Sequence, residues 1–250
     1  MTRRLCTTCG SAARPTGVSQ PGGPKTVRSA WAGSVVRTIA IVNQKGGSGK
    51  TTTAISLSAA LAERGQRTLL VDLDPQAHCA SGLAIPEDRI DLQIGDAMVW
   101  PDRTPMPTDR FLWRLRSNLH VVPSTTKLAG LESPRGGLAT REDRDLRLAR
   151  VLGAMSESYD CCLIDCPPYI GLLTFNALRA CDEVLIPVEA GYFALKGAGK
   201  QVATIEALSR KFGVEIPYRL VPTMYERTSK VGDDVLESIR REFRDSLAPV

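Results

Sequence analysis

From Arg37 onward the chain alternates short, almost wholly apolar runs with longer amphipathic ones. Thr38–Asn43 is the first apolar run and predicts a strand. Thr52–Arg64 carries Ile55, Leu57 and Leu61 among alanines and stops at Gly65, which predicts a helix. Arg67–Leu73 predicts a second strand, too apolar to keep one wet face. Leu119–Val122, Asp160–Asp165, Glu183–Val188 and Tyr218–Val221 predict further strands, and helices are expected over Leu138–Ser156, Leu195–Phe212 and Val231–Phe243. Residues 74–117 hold Pro75, Pro86, Pro101, Pro105 and Pro107, which limit helix length, so this stretch reads as irregular. Continuous apolar strands separated by helices predict an α/β fold with a mostly parallel, doubly wound sheet flanked by helices.

Composition adds bounds. A chain of 250 residues that is 43% apolar can bury one large core. No apolar run approaches the ~20 residues of a membrane span. Seven cysteines, an odd number, argue against a disulfide framework and for reduced thiols. Cys6 and Cys9 have CxxC spacing, but no second pair follows to complete a zinc site. The formal net charge of +5 lies wholly in residues 1–36, which hold Arg3, Arg4, Arg14, Lys25 and Arg28 and no acidic residue. The basic balance is therefore no argument for nucleic-acid binding by the folded part. Residues 1–36 read as a disordered basic leader, or as a start assigned too far upstream. A targeting peptide is disfavoured, because no amphipathic helix is evident.

The chemistry sits at the ends of strands. After the first apolar run comes Lys45-Gly46-Gly47-Ser48-Gly49-Lys50-Thr51-Thr52, and a helical pattern follows. A strand, a glycine-rich turn and a helix N-terminus form a phosphate-binding device. Backbone N–H groups converge on phosphate oxygens, Lys50 adds a point charge, and the Thr51 hydroxyl can reach Mg²⁺. The second strand ends in Asp72-Leu73-Asp74-Pro75, so alternation puts both carboxylates on one side. Another apolar strand ends in Asp165-Cys166-Pro167-Pro168, which fits a Walker B carboxylate followed by a stiff loop hinged at Gly171. Ligands bind beyond the carboxyl ends of such strands.

The segments NQKGGSGKTTTA, LLVDLDPQA, LIDCPPYIGLLTFNAL, IPVEAGYFALKG and PTMYERT, in this order over residues 37 to about 245, resemble the deviant Walker A ATPases of the ParA/Soj type. The resemblance implies a SIMIBI-type P-loop NTPase that uses ATP and Mg²⁺. Lys45 would reach across a nucleotide-sandwich homodimer to the partner's ATP. Lys50 would bind the β- and γ-phosphates and Thr51 the Mg²⁺, with Thr52 on the α-phosphate side and Gly46 to Gly49 as the cradle. Asp74 would position the attacking water, Asp165 would organise Mg²⁺, and Gly171 would lie in a switch loop. The resemblance also implies sequence-independent binding of double-stranded DNA by the ATP dimer. A ParB-like activator would stimulate slow hydrolysis, and the protein would lie on the nucleoid in the cytoplasm. Candidate phosphate contacts are Arg227, Lys230, Arg240, Arg241 and Arg244, among interleaved Glu237, Glu242 and Asp245.

Two departures shape the expectations. PTMYERT is one residue shorter than the family's usual form. The chain also stops at Val250, where the family continues with a last strand and helix, so residues 37–250 are expected to lack that strand and to leave an exposed sheet edge. The alternatives are a membrane-associated spatial regulator of the MinD type, for which no C-terminal amphipathic helix is visible, and a truncated remnant that does not hydrolyse ATP and acts through protein contacts.

Overall fold

The computed structural model describes residues 36–191, 194–225 and 230–248. The predicted leader therefore lies outside the described residues, apart from Val36. Seven strands form one sheet: β1 (Arg37–Ile41), β2 (Thr68–Asp72), β3 (Trp113–Arg116), β4 (Leu119–Val122), β5 (Cys161–Asp165), β6 (Glu183–Glu189) and β7 (Tyr218–Thr223). Their order is β3-β4-β2-β5-β1-β6-β7, and every pairing is parallel except β3 with β4. The described residues hold seven α-helices: α1 (Lys50–Glu63), α2 (His78–Gly82), α3 (Ile94–Met98), α4 (Arg147–Met155), α5 (Leu172–Ala180), α6 (Ala194–Phe212) and α7 (Lys230–Glu242).

The strand period explains the two-sided core. Ala40 and Val42 face one layer, together with Leu69, Val71 and Ile164, under α3 to α6. Ile39 and Ile41 face the other, with Leu70, Val121, Leu163 and Ala54 of α1. β1 lies between β5 and β6, the place where the strand order reverses. A crevice therefore opens at the carboxyl ends of the central strands.

The structure corrects the expected elements in three places. Helix α4 starts at Arg147, not Leu138. Asn176 on α5 takes the backbone on both sides of that start: its Nδ2 donates to the Arg144 carbonyl (2.8 Å) and its Oδ1 accepts the Leu148 N–H (3.0 Å). Arg144 O is thus spent on a side chain instead of an intrahelical bond. Residues 74–117 hold α2, α3 and strand β3, whose Trp-Arg-Leu-Arg alternation is an edge-strand pattern. Helix α5 fills a stretch given no element above. The outer edge of β7, expected to be exposed, carries one parallel bridge: Leu247 pairs with Leu220, and Ala248 N–H donates to Leu220 O at 2.9 Å.

Candidate phosphate-binding site

The glycine-rich loop leaves β1 at the crevice and turns into α1. Gly47 (φ 72°) and Gly49 (φ 86°) occupy the left-handed region that side chains avoid. Gly49 caps α1 with no side-chain hydrogen bond, so the first N–H groups of the helix stay free to meet an anion. The loop is pinned from three sides. Asn43 Oδ1 accepts the Lys45 N–H (2.8 Å), and Asn43 Nδ2 donates to Pro187 O of β6 (2.5 Å). Gln201 Oε1 on α6 accepts the Gln44 N–H (3.3 Å). Thr223 Oγ1 at the end of β7 donates to Ser48 O (2.9 Å).

The two lysines of the loop have opposite settings. Lys50 is 7% exposed, inside the cradle. The Lys45 side chain is 60% exposed and its Nζ pairs with Glu189 at the end of β6. A 330 Å³ cavity lies beside this pair, lined by Asn43, Gln44, Lys45, Val188, Glu189 and Gln201 among others. Thr51 is half-buried and Thr52 exposed on the first turn of α1.

The carboxylates meet because β2 and β5 are neighbours with Asp72 opposite Asp165. Asp72 is a structural acceptor: its Oδ1 takes the Asp74 N–H (3.0 Å) and its Oδ2 the Cys79 N–H (3.2 Å). Asp74 is 5% exposed; its Oδ1 accepts the Gln76 N–H (2.9 Å), and its carbonyl accepts the Ser124 hydroxyl (2.7 Å). Asp165 is fully buried and accepts the Cys79 thiol at Oδ2 (3.4 Å), while its Oδ1 has no hydrogen-bond partner among the described residues. Ser48 Oγ is likewise buried and unpartnered. Orphaned buried oxygens beside a phosphate cradle fit a hard divalent cation with oxygen ligands, so the residues present suit Mg²⁺.

Burial pushes Asp72 up to about 8, with the Asp165 charge adding to the effect. Burial also lifts Asp165 to about 6, opposed by the Thr51 hydroxyl, the Cys79 thiol and Lys50. Both carboxyls thus keep protons in the fold that the unfolded chain releases above pH ~4. Their stabilisation is full below that pH and is lost as pH rises through about 6 and then about 8. The melting temperature of the nucleotide-free, chelator-treated protein should therefore fall from pH 5 to 8. Asp72→Asn should flatten that slope, and an unchanged slope would place the titration elsewhere.

Gly171 is the N-cap of α5, and its extended backbone needs no glycine. A Cβ there would come within 2.5 Å of Glu132 Oε1 and 2.8 Å of the Tyr169 ring, so those side-chain ends would have to shift. Glu132 clamps the loop before α5, accepting the Tyr169 hydroxyl (2.7 Å) and the Leu173 N–H (3.1 Å). Glu132 and Ser124 lie in no motif that the sequence offered, and Glu189 and Thr223 lie inside two of the quoted segments without having been given a role of their own. Arg240, Arg241 and Arg244 lie exposed on α7 and just after it, with Arg241 paired to Glu237 at 3.5 Å. α7 packs against α6, and its Leu236 and Ile239 are buried. Arg227 lies outside the described residues, as does the side chain of Lys230. No described helix is long and apolar enough to cross a membrane.

The AAA domain family model matches residues 36–217. The chain is 40% identical over 210 residues to the sporulation initiation inhibitor protein Soj of Bacillus subtilis, covering 84% of this chain and 81% of Soj. It is 41% identical over 222 residues to the chromosome partitioning protein ParA of Myxococcus xanthus, covering 88% and 76%. Among solved structures, cobyrinic acid a,c-diamide synthase from Mycobacterium smegmatis with bound ADP and magnesium superposes with a TM-score of 0.74 at 32% identity, over 82% of each chain.

Proposed function

The chain belongs to the ParA/Soj family of P-loop partition and positioning ATPases, and from that premise we propose that it works as an ATP-gated, DNA-binding dimer. The observation that carries this reading is the division of labour between two lysines of one loop. Lys50, buried in the cradle, neutralises the β- and γ-phosphates of the chain's own nucleotide. Lys45, exposed and paired with Glu189, completes the nucleotide of a second copy, so ATP joins two chains.

Lys50, the free N–H groups of α1 and the Gly47–Gly49 backbone bind and orient the triphosphate. Thr51 and Asp165 would hold Mg²⁺, which when bound supplies charge neutralisation between the β- and γ-phosphates. Asp74 spends one carboxylate oxygen on the Gln76 N–H and keeps the other to orient the attacking water. Glu132 holds the loop before α5 through Tyr169 and Leu173, and this loop senses the γ-phosphate. A ParB-like partner speeds hydrolysis, which separates the two copies.

Double-stranded DNA is met through Arg240, Arg241 and Arg244 together with Lys230 and Arg227. Retention on non-specific duplex should require ATP and fall steeply with salt. Changing Arg240, Arg241 and Arg244 to Ala should flatten the log–log salt slope by about 0.9 per lost phosphate contact. Equal retention with ADP and ATP, or an unchanged slope, would remove the DNA surface from this reading.

A further inference from the structure

We propose that Asp72, Cys79 and Asp165 form a binding site for a thiophilic divalent cation of the Zn²⁺ or Cd²⁺ class, taken up by the nucleotide-free protein. One donor atom from each lies within 4.8 Å of the others, and all three residues are buried. The Cys79 Sγ to Asp165 Oδ2 distance is 3.4 Å. A tetrahedral zinc with a thiolate at ~2.3 Å and a carboxylate oxygen at ~2.0 Å spans about 3.5 Å between those two ligands. The thiol proton now bridging them thus stands where a small cation fits without moving either residue. Asp165 Oδ1 is fully buried with no hydrogen-bond partner among the described residues, so the carboxylate that faces Cys79 keeps unused lone pairs.

The cluster brings three acidic donors together, with Lys50 as the nearby positive charge at Asp165, so a dication supplies charge that one ammonium does not match. Mg²⁺ demands oxygen ligands and near-octahedral geometry, whereas a thiolate selects softer ions. Uptake replaces the Cys79 S–H bond by a metal–sulfur bond and releases that proton, with any held by the Asp72 and Asp165 carboxyls, to solvent, with no change of oxidation state. Asp165 would then be engaged away from the Mg²⁺ of a bound nucleotide, so the two occupancies exclude each other. That antagonism rests on the role proposed above for Asp165, whereas the binding itself does not.

The test uses the full chain with Cys6→Ser and Cys9→Ser, free of nucleotide and titrated with Cd²⁺. The expected result is a thiolate-to-cadmium ultraviolet charge-transfer band saturating at one equivalent, with a raised melting temperature. Cys79→Ser in the same background should lose the band and weaken binding by more than the ~10–100-fold typical of losing an outer-shell partner. Cys79→Thr repeats the comparison should the serine variant melt early. No band, or an equal band in both variants, overturns the site. A band that survives saturating Mg²⁺ and a non-hydrolysable ATP analogue overturns the antagonism alone.

Discussion

Lys45→Gln should leave a chain that binds ATP as a monomer and no longer dimerises with it. The lysine is free for this work because its own cradle does not use it. Asn43 fixes its N–H, its side chain is 60% exposed, and its ammonium rests on Glu189. Lys50, 7% exposed, is the lysine proposed above to supply the charge to the phosphates of the same chain. Removing one partner of a buried, hydrogen-bonded charge pair in an interface costs ~2–5 kcal/mol. A two-fold dimer loses two such contacts, so the dimer should weaken by ~3 orders of magnitude or more. Light scattering of the variant with ATP and Mg²⁺ should report the monomer mass at concentrations where the parent is dimeric. Nucleotide affinity of the monomer should change little. Glu189 sets a smaller effect of opposite sign. Its pair with Lys45 is exposed and worth at most ~1 kcal/mol, and a dimer releases two such pairs, so Glu189→Gln should favour the dimer by no more than ~30-fold. Dimerisation that survives Lys45→Gln would end the shared-site mechanism for this chain.

How much of this was legible in the sequence depends on how local each cause is. The central strands were readable because a strand buried on both faces must be apolar throughout, as Leu69-Leu70-Val71 and Leu163-Ile164 are. The phosphate loop was readable because its glycines and lysines serve one contiguous turn. The order of the strands was not, and neither was the meeting of Asp72 with Asp165 across the β2–β5 register, because side chains far apart in sequence decide it. The same holds for α4: the charged run Arg141–Asp145 has helical composition, but Asn176 from another helix takes the Arg144 carbonyl. Arg147, which no sequence pattern marked, is 4% exposed. It donates to the Met98 and Trp100 carbonyls (2.7 Å each) and pairs with Asp102, tying α3 to α4. Cys79 drew no notice because a lone cysteine says little until the fold brings two carboxylates to it.

Asp74→Ala should give the complementary phenotype, a dimer that forms with ATP and then persists. Little of the fold depends on this side chain. Ser124 holds the residue through its carbonyl and Asp72 through its N–H, and neither contact involves the carboxylate. Only the Gln76 N–H loses its acceptor, at the exposed end of the turn. Removing the charge also relieves repulsion, because Asp74 raises the proton affinity of both Asp72 and Asp165. The nucleotide-free variant should therefore melt no lower than the parent at pH 8, and its stability should fall less steeply with pH. Turnover should fall by ~10²–10⁴, the usual contribution of a positioned group that orients or deprotonates a nucleophile. Ser124→Ala, which keeps the carboxylate but loosens the turn beneath it, should lose activity by a smaller factor and regain part of it in Ser124→Thr. Stimulated ATPase rates set beside the lifetime of the ATP dimer on DNA separate the two roles. A lower rate with a longer dimer lifetime places Asp74 at the water. A lower rate with a shorter lifetime makes it a nucleotide-binding residue, and unchanged turnover moves the hydrolytic role to another side chain.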